Sequence, residues 1–356
     1  MIEKLELKNF TVFNDLKIDF SPKINVIIGE NGTGKTHLLK AAYSICAAAD
    51  ATINNKQEVT EEDLQKAVTK KVCDVFMPLD GKIAKLRKTG SDGTASVKCD
   101  FEGGKSLSFT FHANSQFAKI IKSNSYERYS YVPVYIPTKE VLSFMEGFMS
   151  LYEKYQLSFD RTYYDICTYL DLPKAREETL NPKSKWVMEE IEKVVGGKFV
   201  FYGGGRVTFK AGNDEYSANA MAEGYRKIGM LSRLLETGAI NPVASGPLFW
   251  DEPESNMNPK LLRLLVEILL ELSRKGQQII IATHEYVLLK WFDLLIDKGK
   301  EDQVRYHALY RDETTKQVCI DSTDVYQEVQ SNSIAATYSE LYDGEIDRSF
   351  SGGKGK

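Results

Sequence analysis

The chain has 356 residues, 42% of them apolar and 27% charged, proportions that exclude collagen-like, disulfide-scaffold and wholly disordered classes. Lys and Arg number 46 against 50 Asp and Glu, a net charge of −4, so any affinity for nucleic acid or an anionic membrane must come from a local patch. The length accommodates one large domain with insertions or two modest ones, and five scattered cysteines without a C-x-x-C pair, beside four histidines, exclude a zinc ribbon and fit a reducing cytoplasm.

Alternating apolar and charged side chains predict strands over residues 2–7 and 16–20, and the continuous apolar run 24–28 predicts a fully buried strand. Directly after it stands Gly29-Glu30-Asn31-Gly32-Thr33-Gly34-Lys35-Thr36, followed by a helical pattern from His37 to about residue 49. A helix is expected over 61–71 and strands over 96–101 and 106–111, separated by glycine turns. Lys82, Lys85, Arg87, Lys88, Lys98 and Lys105 crowd this stretch, either as a solvated hairpin face or as a patch for a phosphate backbone.

A buried strand over 131–136 ends at Pro137, and 139–195 reads as helical with a break at Pro173 and a polar stretch to Pro182. Strands over 199–202 and 206–209 flank Gly203-Gly204-Gly205, and a helix is expected over 219–236. The apolar run 261–272 carries Arg263, Glu267 and Glu271 on one helical face, which marks a buried helix of a soluble protein and not a membrane span. The last ten residues, rich in glycine at their end, read as a frayed tail.

Residues 29–36 fit G-x-x-x-x-G-K-[ST], a loop whose backbone N–H groups turn inward around an anion while the following helix adds its positive end. The loop residues Gly29, Glu30, Asn31, Gly32, Thr33 and Gly34, with Lys35, Thr36 and His37, are therefore the candidate ATP site; Lys35 would reach the β- and γ-phosphates and Thr36 would offer its hydroxyl to Mg²⁺. The run Pro247-Leu248-Phe249-Trp250 leads into Asp251 and Glu252. Asp251 suits a metal-holding carboxylate, and Glu252 suits the base or orienter of a hydrolytic water. A second apolar strand, 278–283, runs into His284, at the strand end where ligands collect in open α/β sheets; there it would contact the γ-phosphate or the water.

This ordered set, with residues 254–259 as a D-loop carrying Asn256 and Asn258, resembles the ABC-class P-loop ATPases of the SMC, RecF and OLD group. It also resembles the small bacterial "AAA family ATPases" that accompany effectors in anti-phage systems. The resemblance implies an α/β fold with a mixed central sheet and flanking helices, a small antiparallel β lobe and a helical insertion. It divides the chain into an N-terminal part of the ATPase head (1–137), a helical insertion (138–198), a C-terminal part of the head (199–345) and a flexible tail (346–356). It further implies Mg²⁺-dependent ATP hydrolysis in a head-to-tail homodimer, in which a signature helix, here Ala222-Glu223-Gly224, caps the partner's nucleotide.

Ala222 stands where the family's serine offers a hydroxyl, which points to slow turnover, although Arg226 or Lys227 could add charge. Thr11 replaces a basic residue common among relatives. No Q-loop glutamine follows the strand ending at residue 136, and Glu140 is the candidate metal-side substitute. The insertion is too short for a coiled-coil arm, and no acid cluster for a nuclease follows His284. A cytoplasmic ATP-driven switch acting on a separate nuclease or toxin is the first expectation, a RecF-like DNA-binding ATPase of repair the second. A transporter subunit is disfavoured by the poor signature.

Overall fold

The computed structural model describes residues 1–53, 60–126, 131–155, 157–176, 178, 180, 182–242, 245–330 and 333–350. Strands β1 (Ile2–Phe10) and β2 (Phe13–Asp19) pair as a hairpin, and β4 (Ala95–Phe101), β5 (Lys105–Phe111) and β6 (Lys119–Asn124) extend it into an antiparallel sheet of order β2-β1-β4-β5-β6. Its burial alternates, as in β4, because only one face meets a core.

The second sheet has the order β14-β13-β3-β12-β11-β7. It comprises β3 (Ile24–Gly29), β7 (Val134–Ile136), β11 (Leu248–Asp251), β12 (Ile279–Ala282), β13 (Val304–Arg311) and the antiparallel edge strand β14 (Val318–Thr323). β3, β11 and β12 are buried at every position, as parallel strands covered on both faces must be. On one side, Ile27, Phe249, Ile280 and Ala282 pack with α1 (Lys35–Ile53), α2 (Glu61–Phe76) and the β lobe. On the other, Val26, Ile28, Trp250 and Ile281 pack with α6 (Glu223–Glu236) and α7 (Pro259–Arg274). Gln278 ties the two sheets together: its side chain accepts from Ile2 N and donates to the carbonyls of Ile2 and Ser21 at 2.8–3.0 Å.

Three helices follow β7: α3 (Phe148–Lys154), α4 (Arg161–Asp171) and α5 (Pro182–Val195). A small antiparallel sheet comes next, formed by β8 (Lys198–Phe201), β9 (Val207–Ala211) and β10 (Asp214–Ser217). The helical reading of 139–195, with its break at Pro173, thus resolves into three helices, the first starting only at Phe148 after a left-handed Gly147 (φ 72°). The helix expected from 219 begins only at Glu223, after a 3₁₀ turn at Ala218–Ala220. α8 (Tyr286–Leu295) and α9 (Ser333–Phe350) close the chain. The supposed tail is helical through Phe350, and its remainder, 351–356, lies outside the described residues. No helix among the described residues is long and apolar enough to cross a membrane.

Candidate nucleotide site

The glycine loop joins β3 to α1 at the centre of the second sheet, with β12 and β13 on its two sides. Its glycines are required by contact as well as by backbone angle. A Cβ on Gly29 (φ 147°) would lie 2.3 Å from the Leu309 carbonyl oxygen, and one on Gly34 (φ 96°) 2.6 Å from Val12 Cγ2. Thr33 Oγ1 donates to the Glu30 carbonyl at 2.8 Å, and Arg311 Nη2 donates to the Gly32 carbonyl at 2.8 Å. Lys35 Nζ lies along the loop, donating to the carbonyls of Gly29 (2.6 Å) and Glu30 (3.1 Å). Burial lowers its pKa, opposed by the nearby Glu252, Asp251, Glu254 and Glu30.

Thr36 Oγ1 faces Asp251 across the gap between the chain's two halves, 2.9 Å from Oδ2 and 3.2 Å from Oδ1. Tyr135 on the neighbouring β7 donates its hydroxyl to Asp251 Oδ2 at 3.4 Å. Burial raises the Asp251 pKa, and the Thr36 hydrogen bond works against that rise. A hydroxyl beside a carboxylate is an all-oxygen donor pair of the kind Mg²⁺ takes.

Parallel pairing of Asp251 with Ala282 brings the next residues of both strands side by side. Glu252 N donates to the Ala282 carbonyl at 2.9 Å, and Glu252 adopts a left-handed conformation (φ 48°). His284 Nδ1 lies 3.4 Å from Glu252 Oε1 and 3.7 Å from Glu254 Oε1. Glu254, which is buried, accepts from Thr283 Oγ1 (2.8 Å) and His284 N (3.2 Å) and so fixes the turn that carries the histidine. Burial raises its pKa.

Lys35, Thr36, Asp251, Glu252 and His284 therefore converge, and other expected site residues go elsewhere. The Glu140 carboxylate is taken by Arg226 Nε (2.9 Å) and Ser143 N (3.2 Å), so it belongs to the first turn of α6 and not to the Thr36–Asp251 pair. The His37 ring packs edge-on against Phe76, 5.7 Å between centroids, which leaves its main-chain amide in the unpaired first turn of α1 as its link to the loop. Asn256 Nδ2 donates to Glu223 Oε1 at 2.9 Å, whereas Asn258 caps α7 through Lys260 N.

Ala222 is the N-cap of α6 with no side-chain cap bond, and Gly224 is packed closely, a Cβ there falling 3.1 Å from the Asn256 carbonyl oxygen. Arg226 and Lys227 are turned inward, Lys227 fully buried with its Nζ 3.2 Å from the Glu252 carbonyl. Arg226 and Lys227, expected to add charge toward a partner's phosphate, are thus engaged within their own subunit, and Glu254 and Tyr135 are the neighbours that sequence spacing did not single out as site residues. Of the lysine-rich stretch, Lys98 pairs with Glu6 (3.2 Å) and Asp100 (2.8 Å), and Lys88 donates to the Val12 carbonyl at 2.6 Å.

A family model described as "AAA ATPase domain" matches residues 1–199, and one described as "AAA domain, putative AbiEii toxin, Type IV TA system" matches residues 208–290. Among curated proteins, the DNA replication and repair protein RecF of Ligilactobacillus salivarius is 43% identical over 58 residues, 16% of this chain and 15% of that protein. RecF of Bacillus cytotoxicus is 34% identical over 96 residues, 24% of this chain and 26% of that protein. These matches span about a quarter or less of the RecF proteins' length.

Among solved structures, an SMC head bound to the C-winged helix domain of ScpA superposes with a TM-score of 0.57 at 15% identity, covering 92% of this chain and 98% of that one. The SMC head domain from Thermotoga maritima gives 0.50 at 15% identity, covering 91% and 99%. With its glycine loop, strand-end acids and histidine brought together on an SMC-head-like P-loop ATPase fold, the chain belongs to the AAA ATPase domain family.

Proposed function

We propose that this ATPase binds ATP with Mg²⁺ and works as a nucleotide-driven switch on a separate effector protein. The observation that carries the reading is the meeting of Lys35 and Thr36, from one end of the chain, with Asp251, Glu252 and His284 from the other. Thr36 and Asp251 would hold Mg²⁺, which supplies neutralising charge on the phosphates when bound. Lys35 and the loop amides bind the phosphate tail. Glu252 accepts a proton from the water that adds to the γ-phosphorus, the bond to the bridging oxygen breaks, and His284 holds the water or the γ-phosphate in place.

On this reading 1–137 and 199–345 form one split head with 138–198 inserted. The exposed start of α6 then meets the nucleotide of a second subunit in a head-to-tail dimer. Ala222 offers no hydroxyl there, so main-chain N–H groups alone meet the phosphate and turnover is slow. ATP that touches both subunits favours the closed pair, and hydrolysis releases it.

The family description over 208–290, "AAA domain, putative AbiEii toxin, Type IV TA system", supports a role tied to a toxin-type effector, for which we propose defence against phage as the setting. The RecF matches favour a second reading, a DNA-binding repair ATPase, but Lys98 and Lys88, engaged within the protein, give it no obvious grip.

Glu252→Gln should lower turnover by about 100-fold or more and hold an ATP-dependent dimer, visible by light scattering after size-exclusion. Lys35→Ala should abolish nucleotide binding in a fluorescence titration. Hydrolysis by Glu252→Gln at the parental rate overturns the assignment of the base. Tight, steeply salt-dependent binding of duplex DNA by the isolated protein would favour the repair reading.

A further inference from the structure

We propose that Lys227 is a positioning residue for hydrolysis: from inside α6 it holds the main-chain carbonyl of Glu252, and with it the left-handed turn on which that residue stands. The inference rests on the assignment of Glu252 as the base. Lys227 has 0% of its surface exposed and is one of the largest fully buried side chains. An ammonium at such a depth is costly unless hydrogen-bonded and surrounded by negative charge. Its Nζ donates to the Glu252 carbonyl at 3.2 Å, and Glu223, Glu254, Glu252 and Glu140 are the carboxylates that offset the pKa lowering caused by its burial.

The held segment is a strained one. Glu252 has φ 48° and is not glycine, a conformation that costs about 1–2 kcal/mol and persists only where the surroundings over-determine it. The peptide is fixed on both sides: Glu252 N donates to the Ala282 carbonyl at 2.9 Å, and the Glu252 carbonyl accepts from Lys227 and from Ser255 N at 3.1 Å. Only the bond from Lys227 comes from outside the strand-end turn and its neighbouring strand. Removing it leaves the carbonyl ahead of Pro253 held only from within its own turn, by Ser255 N, so the turn slackens and the Glu252 carboxylate loses its aim while the glycine loop is untouched.

The same stretch of α6 is seated on the D-loop through Gly224 and through the Glu223–Asn256 bond. Lys227 is thus the point at which the helix offered to a partner's nucleotide touches the base of its own site.

Lys227→Met keeps the length of the side chain and removes its donor and charge. The measurements are turnover and ATP affinity of the full-length protein, with a thermal melt to establish folding. Turnover should fall about tenfold or more, with ATP affinity changed less than about twofold. Lys227→Gln, which retains an N–H donor, should keep at least about a third of parental turnover, and it takes the place of the Met variant should that fail to fold. In a Glu252→Gln background, Lys227→Met should cause no further loss, because the two act through one group.

The proposal is overturned if folded Lys227→Met hydrolyses within about twofold of the parent, if it loses affinity and turnover together, if Lys227→Gln is as inactive as the Met variant, or if the two losses add. A Glu252→Gln protein that turns over normally removes the base itself and this role with it. An inactive Glu252→Gln beside an active Lys227→Met removes only the role of Lys227.

Discussion

His307, fully buried in β13, is neutral in this fold: Nδ1 lies 2.8 Å from Ser322 Oγ and Nε2 3.2 Å from Asn25 Oδ1. Burial, with Arg305 adding to it and Asp324 opposing, pushes the imidazole down to about 3. The unfolded chain takes up the proton near 6.5, so the stability contributed by the neutral ring is complete above about pH 6.5 and is lost as pH falls toward 3. Urea unfolding between pH 7 and pH 4 should show a decline of about 3 kcal/mol attributable to this group, and His307→Asn should flatten that slope. The residues of the glycine loop, Asp251, Glu252 and His284 were legible in the sequence because each stands next to the strand that aims it. Glu254 and Tyr135 were not, since what makes them matter is a contact with residues remote in sequence; for the same reason Lys227, read as a charge for a partner's phosphate, is drawn inward to the Glu252 carbonyl, and Glu140, read as a metal-side substitute, is diverted by Arg226.

Helix α4 is tied to α1 and α2 by two carboxylates. Asp165 on α4 accepts from Tyr43 of α1 (2.6 Å), Lys71 of α2 (2.6 Å) and Arg161 of its own helix (2.9 Å), while Lys40 of α1 reaches Asp160 at the α4 cap (2.7 Å). The Asp165 and Lys71 side chains are largely buried, so removing the acid strands two cations and a hydroxyl. Asp165→Ala should cost about 3 kcal/mol, read as a lowered melting temperature. The ATP Kd would rise only if α4 also holds α1 in place, which the same protein tests in a titration. The β lobe and the buried strands of the nucleotide site were readable from period and continuity. β13 was not: Arg305 and His307 interrupt its apolar run, and their polar groups find Asp324, the Asp19 carbonyl, Ser322 and Asn25 only once the chain is folded. α9 escaped notice because its apolar positions, Tyr338, Leu341, Tyr342, Ile346 and Phe350, sit in a segment read for its terminal glycines.

At the scale of the molecule, α9 is lightly attached: Ile334 at its start packs against the larger core, and beyond the first turn the helix is exposed. None of its side chains is buried, and a stack of Tyr338 on Tyr286, with ring centroids 4.2 Å apart, is a principal attachment. A chain ending at residue 332 should therefore melt within about 2 °C of the full-length protein and hydrolyse ATP at the same rate, measured by differential scanning calorimetry and phosphate release. A drop of many degrees would show that the helix is part of the folded unit after all. The sheet order has a further consequence, for how the protein is made. The glycine-loop strand β3 leaves the ribosome well before both its neighbours, β12 and β13, which follow it by more than two hundred residues. Until they arrive, an apolar strand with two open edges has to wait, a state prone to pairing with other chains. The hairpin β1–β2 can begin to fold around it early, whereas the candidate nucleotide site is complete only after β12 and β13 have been made, so a nascent chain lacking them cannot bind ATP as proposed.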